Sequence, residues 1–155
     1  QFTDEEGSER VLLNTDDVTE EIRTNEISTL ASKVAANDFV RTILREMQRR
    51  LVKNKDYIAE GRDMGTYVFP DAKYKFYLDA DLKIRAKRRA SQLKEMLGIN
   101  MNEERVSREI KDRDKLDMTR ESCPLHPADD AVIIDTSDMT INEVVLKIES
   151  VINDA

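Results

Sequence analysis

The sequence predicts an α/β domain built on a parallel sheet flanked by helices. Three observations carry that expectation. Short apolar runs rich in aromatic and β-branched residues, "DYIAE", "KYKFYLDA" and "DAVIIDTS", read as strands. Stretches with apolar residues at helical spacing separate them. The chain closes on "TINEVVLKIESVI", an amphipathic helix whose Thr140 and Glu143 form a capping-box signature. Strands alternating with helices favour a parallel sheet, in which ligands gather at the carboxyl ends of strands.

Taken in order, "RVLLN" suggests a first strand between polar residues of turn character. Ile27, Leu30, Ala31 and Val34 then repeat at helical spacing. After "AAND" comes a second set, Val40, Ile43, Leu44, Met47 and Leu51, with Asp38 as the expected N-cap. "DYIAE" is predicted to be a strand ending at Gly61, and Pro70 falls in the loop before "KYKFYLDA". Asp79 or Asp81 opens a helix carrying Leu82, Ala86, Ala90, Leu93 and Leu97, and Gly98 is placed to end it. A more charged helix runs from about Asn102 through "EERVSREIKDRDKLDMTR", with Val106, Ile110 and Leu116 as its core candidates.

With 155 residues, 39% of them hydrophobic, the chain has material for one core. No window reaches the apolar length of a membrane span, and no signal peptide is visible, so a cytoplasmic setting without a membrane partner is expected. Cys123 is the single cysteine and His126 the single histidine, which excludes an intrachain disulfide and a Cys/His zinc set. The net charge of −7 argues against non-specific nucleic-acid binding. Charge is nonetheless uneven: residues 1–26 hold nine acids against two bases, whereas residues 82–96 hold six bases against Glu95 alone. A basic segment within an acidic protein fits a small, highly charged anion.

At the end of "DYIAE" stand Gly61, Arg62, Asp63 and Gly65. The glycines would let backbone approach a ligand closely. The Arg62 fork suits a phosphate, and Asp63 offers an acceptor for an exocyclic amine such as N4 of cytosine. By themselves the same two residues are more simply explained as a local Arg–Asp ion pair finishing a strand. Arg85, Lys87, Arg88 and Arg89 could be a solvated helix face, and most charges between Glu103 and Arg120 are explained by i, i+4 pairing. The four glycines, Gly7, Gly61, Gly65 and Gly98, include none followed by lysine, so these residues contain no G-x-x-x-x-G-K-[ST] loop.

In this order, "EEIRTNEIS", "ASKVAANDFVR", "EGRDMGTYVFPDA", "YLDADLKIRAKRRASQL" and "EIKDRDKLDMTR" resemble bacterial cytidylate (CMP) kinases, with GRDMGT followed by FPDA the most specific part. The resemblance implies a P-loop kinase-like sheet with part of a nucleotide-monophosphate-binding insert and a helical lid. Residues 1–55 would be the remainder of the insert and the helices after it. Residues 56–155 would be the C-terminal part of the core, including a lid at about 85–122. The segment with the P-loop would lie in a separate stretch of the same or another chain, and the complete protein would be a monomer. The activity implied is transfer of the ATP γ-phosphate to CMP or dCMP, with Mg²⁺ accompanying ATP and no metal ligand identifiable in this chain. The alternative is a non-catalytic pyrimidine-nucleotide-binding fragment. Residue by residue, the resemblance places Ser32, Arg41 and Asp63 around cytosine and Arg62 on the CMP phosphate. Arg113 and Asp117 would hold the ribose, and Arg120 would close onto the phosphates. Arg85, Arg88 and Arg89 would lie at the base of the lid, on the ATP side. Glu60 stands where many members carry aspartate.

Overall fold

"FYLD" and "VIID" pair because β-branched and aromatic residues pack well on a pleated, half-buried surface. In the computed structural model they form β4 (Phe76–Asp79) and β5 (Val132–Asp135), parallel and in register from Phe76 opposite Val132 to Asp79 opposite Asp135. The structure describes every residue except Gln1, Glu6, Gly7, Asn25, Glu26, Ser28, Thr29, Ser32, Lys33, Ala35, Ala36 and Ala155. The chain divides into two compact units, residues 1–48 and 49–155.

The first unit holds an antiparallel meander of β1 (Phe2–Glu5), β2 (Ser8–Leu13) and β3 (Asp16–Asp17). Only β2 was legible as "RVLLN". Asn14 takes a left-handed backbone (φ 58°) in the tight turn between β2 and β3, a conformation asparagine tolerates. Asp17 then accepts from the Thr19 N–H at 3.0 Å, and the Thr19 hydroxyl accepts from the Val11 N–H at 2.9 Å. Ile27, Leu30, Ala31 and Val34 are helical as expected. The next helix, α1 (Asp38–Leu51), ends in the second unit and differs from expectation at its start. Asn37 is the cap, its side-chain oxygen accepting from Phe39 and Val40 N–H groups at 3.0 and 3.2 Å. Asp38 is instead the first helical residue, where its charge favours the helix N-terminus.

In the second unit, "DYIAE" is not a strand: residues 56–60 have no ladder partner among the described residues, and Ile58 is fully exposed. Strand-like composition forms a strand only beside another. Tyr57 packs instead on Phe69, ring centroids 4.8 Å apart. After β4 comes α2 (Leu82–Leu97), with Asp81 as N-cap residue. The first-turn backbone is secured from elsewhere, the Asp81 N–H donating to Ser137 Oγ at 2.9 Å. Gly98, at φ 66°, ends α2 in the left-handed conformation that glycine adopts without strain. Next, α3 (Glu103–Thr119) starts on Asn102, which accepts from the Glu104 N–H at 2.7 Å. The last helix, α4 (Ile141–Asn153), has the expected reciprocal capping box of Thr140 and Glu143.

The core lies in this unit, where α2 packs against α3. Val68, Ala80, Ala86, Val106, Cys123 and Ile134 are buried, together with Thr136, whose hydroxyl donates to the Asp79 carbonyl at 2.9 Å. On α3, Val106 is buried and Ile110 half-buried as expected, but Leu116 is 70% exposed. None of the helices among the described residues is long and apolar enough to cross a membrane. Val106→Ala is expected to lower the unfolding free energy by about 2 kcal/mol, because both methyls leave a fully packed site. Leu116→Ala on the same helix is expected to cost less than about 0.5 kcal/mol. Urea denaturation of both variants checks the contrast.

Candidate functional site

Arg62 follows the irregular stretch 56–60 and precedes a π-helical turn, Met64–Val68, in which the Val68 N–H donates to the Asp63 carbonyl at 3.0 Å and the Phe69 N–H to the Met64 carbonyl at 2.7 Å. Such turns are rare and often mark functional segments. Arg49 at the end of α1 secures this one, donating from Nε to the Val68 carbonyl at 2.6 Å and from Nη2 to the Tyr67 carbonyl at 2.9 Å. Gly61 has no positive φ, but a Cβ there would come within 3.0 Å of the Met64 side chain.

From this turn Arg62 reaches α3, 52 and 55 residues away in sequence. Its Nη1 contacts Asp117 directly and lies 3.5 Å from Asp114 Oδ1. The ion pair is therefore not with adjacent Asp63. Asp114 and Asp117, three residues apart, share one face of α3. Asp114 Oδ2 accepts from Arg85 Nη1 at 2.5 Å, and Asp117 also faces Arg120 at 3.5 Å and Arg113 at 3.9 Å. Arg120 donates from Nε to the Cys123 carbonyl at 2.6 Å. Cys123 aims that carbonyl from a left-handed backbone, φ 51°.

Among the described ion pairs, four arginines (62, 85, 113 and 120) thus meet two aspartates (114 and 117), so guanidinium groups outnumber carboxylates there. The electrostatics of Arg62 register it. Burial and then the nearby Arg113 charge push its pKa down, while Asp114 pushes it up and Arg120 opposes. A half-buried guanidinium disfavoured by its own neighbours gains from a further anion. The chemistry on offer is recognition of a multiply charged oxyanion by planar forks.

The other expected residues make further contacts. Arg88 donates from Nη1 to Thr136 Oγ1 at 3.1 Å and from Nη2 to the Thr136 and Met139 carbonyls at 2.6 and 3.2 Å, closing the end of β5. Arg89 bonds Gln92 one turn along α2. Arg85 donates from Nε to the Ala80 carbonyl at 2.9 Å and so faces inward. Asp63 is half-buried at the start of the π-helical turn. Arg41 is a half-buried residue of α1 in the first unit, and Ser32 lies outside the described residues. Asp114 went unrecognised as part of a site because it sits in an alternating charge run; its i, i+3 relation to Asp117 was the available signal. An open groove of about 420 Å³ along α2, lined by Ile84, Lys87, Arg88, Ser91, Gln92, Glu95 and Ser137, shares no residue with the arginine cluster. Among the described residues, no group of three or more His, Cys, Asp or Glu side chains could hold a metal ion.

A parallel strand pair with flanking helices defines an α/β protein, and its arginines converge on two aspartates of α3. Comparison with known proteins narrows the class. The family model for cytidylate kinase matches residues 2–154. The chain is 47% identical over 145 residues to cytidylate kinase 1 of Haemophilus influenzae, covering 94% of this chain and 62% of the relative. It is 44% identical over 153 residues to the cytidylate kinase of Mannheimia succiniciproducens, covering 99% and 68%. Against that of Carboxydothermus hydrogenoformans it is 44% identical over 144 residues, covering 93% and 64%. The chain belongs to the cytidylate kinase family, whose members are P-loop nucleoside monophosphate kinases. It spans about two thirds of the length of these curated relatives.

Proposed function

We propose that these residues form the monophosphate side of a kinase that transfers the ATP γ-phosphate to CMP or dCMP. The supporting observation is the arginine cluster around Arg62, found where the family resemblance puts the CMP phosphate. In this reading Arg62 and Arg120 grip phosphate oxygens, and Arg113 and Asp117 hold the ribose once Asp117 exchanges Arg62 for hydroxyl groups. Ser32, Arg41 and Asp63 surround the cytosine, with Asp63 accepting from its N4 amine. Arg85, Arg88 and Arg89 lie at the base of the lid on the ATP side, and Arg85 and Arg88 also tie α2 to backbone beyond β4 and β5.

The acceptor is already an anion and the transition state is loose, so the protein's work is to align the two phosphates and neutralise the transferring group. That accounts for many arginines and no nucleophile. Mg²⁺ would arrive with ATP and neutralise charge on its phosphates. The ATP cradle, absent from this sequence, would come from polypeptide equivalent to the unmatched third of the relatives, which would also lay a strand beside the exposed Ile58, Leu78 and Ile133. The complete protein would act as a monomer in the cytoplasm.

The test is ATP-to-ADP conversion with CMP, by the mass-verified 155-residue chain alone and with the N-terminal third of a cytidylate kinase added as a second polypeptide. Turnover is expected only in the second case. Turnover by the chain alone would reveal an ATP site of another kind, and CMP binding without turnover in both would favour the non-catalytic fragment. In the complete enzyme, Arg62→Lys is expected to raise the CMP KM by about tenfold or more while the ATP KM changes far less, because lysine keeps the charge and loses the fork. Asp63→Ala is expected to lower kcat/KM for CMP relative to UMP by about 10²-fold, since only cytosine carries the amine. Equal losses on the two substrates would remove Asp63 from base reading.

A further inference from the structure

Asp114 has no role in the site assigned above, yet it touches two of the arginines. Its Oδ2 takes Arg85 Nη1 at 2.5 Å, and its Oδ1 lies 3.5 Å from Arg62 Nη1. Arg85 is itself fastened to backbone, through Nε to the Ala80 carbonyl just beyond β4. A chain of polar contacts thus runs from the end of β4 through Arg85 and Asp114 to Arg62. The Asp114 side chain is only 15% exposed, so water screens these contacts weakly.

Asp117 is placed differently. It faces Arg62, Arg113 and Arg120 at once, and its carboxylate oxygens are the same kind of acceptor that a phosphate brings. An arriving oxyanion competes with Asp117 for these guanidinium groups. Arg62 therefore has one carboxylate partner that a ligand can replace, and a second that is held from behind by Arg85.

We infer that Asp114 is a positioning residue of the phosphate site: through Arg85 it ties Arg62 to the end of β4, so that Arg62 keeps its place when Asp117 yields to a ligand. The inference rests on the proposed function in taking this cluster as the nucleotide-phosphate site. Its sign separates it from simple electrostatics. Asp114 is a negative charge beside an anion site, and by charge alone its removal raises the local positive potential and tightens anion binding. A positioning role gives the opposite result, because an Arg62 released from its frame binds less well.

The experiment is calorimetric titration of CMP, and separately of inorganic phosphate, into the 155-residue chain and its Asp114→Asn, Asp114→Glu and Arg85→Gln variants, each with a thermal melt. Asp114→Asn is expected to weaken both probes about tenfold, the cost of a lost charge-assisted hydrogen bond. Asp114→Glu, which keeps the carboxylate, is expected to recover most of that loss, and Arg85→Gln to weaken binding in the same direction. Unchanged or tighter binding by folded Asp114→Asn overturns the inference. Should that variant melt below the assay temperature, Arg85→Gln decides, and undiminished affinity there overturns it equally. A parent chain that takes phosphate without preferring CMP defeats the CMP reading alone, since the phosphate series still judges Asp114. A parent chain that binds neither probe defeats both.

Discussion

A guanidinium held partly away from water needs anions beside it, and Arg62 obtains them from a helix more than fifty residues further along the chain. That requirement organises the second unit. The π-helical turn after Arg62 fixes where the side chain sets out, and Arg49 fixes the turn by binding two of its carbonyls. At the other end, α2 packs on α3 and thereby holds the face bearing Asp114 and Asp117. A buried ion pair contributes little net stability once desolvation is counted. The contacts serve placement, and stability comes from the apolar packing around Val106 and Ile134.

The strand pair shows what the packing lacks. Parallel sheets are ordinarily covered on both faces, and two strands are a marginal sheet by themselves. Here Leu78 and Ile133 remain more than half exposed, and Ile58 wholly so. The polar contacts at the ends of the strands are by contrast complete: Thr136 bonds the Asp79 carbonyl through both its N–H and its hydroxyl and receives Arg88. The cross-links that hold β4 to β5 are made within these residues, and the apolar surfaces are open to further chain.

Legibility in the sequence followed how local each cause was. Helix ends were visible because caps act over a few residues, as with Gly98, Asn102 and the Thr140–Glu143 box. Asp38 misled because two polar residues stand side by side and only geometry shows that Asn37 accepts the helix N–H groups. The "DYIAE" strand failed for the opposite reason: its composition is right, but a ladder needs a neighbour, which no local pattern reveals. Arg62 stood out from its own chemistry between Gly61 and Gly65, whereas Arg113, Asp117 and Arg120 were nameable only through family resemblance, and the structure brings these four together. Asp114 escaped because its i, i+3 spacing to Asp117 is one of many such spacings in a run of alternating charges, and the resemblance gave it no role.

The left-handed backbone at Cys123 constrains that position more by shape than by chemistry. It gives the arginine cluster the direction of a carbonyl, while the buried thiol accepts from the Ser122 hydroxyl at 3.7 Å. Glycine could keep the carbonyl aimed at Arg120 while leaving a small void, whereas valine or isoleucine would resist the required φ and swing the acceptor away. The bend at Cys123 thus limits how the loop after α3 can drift in sequence, since any replacement has to preserve it before its side chain matters.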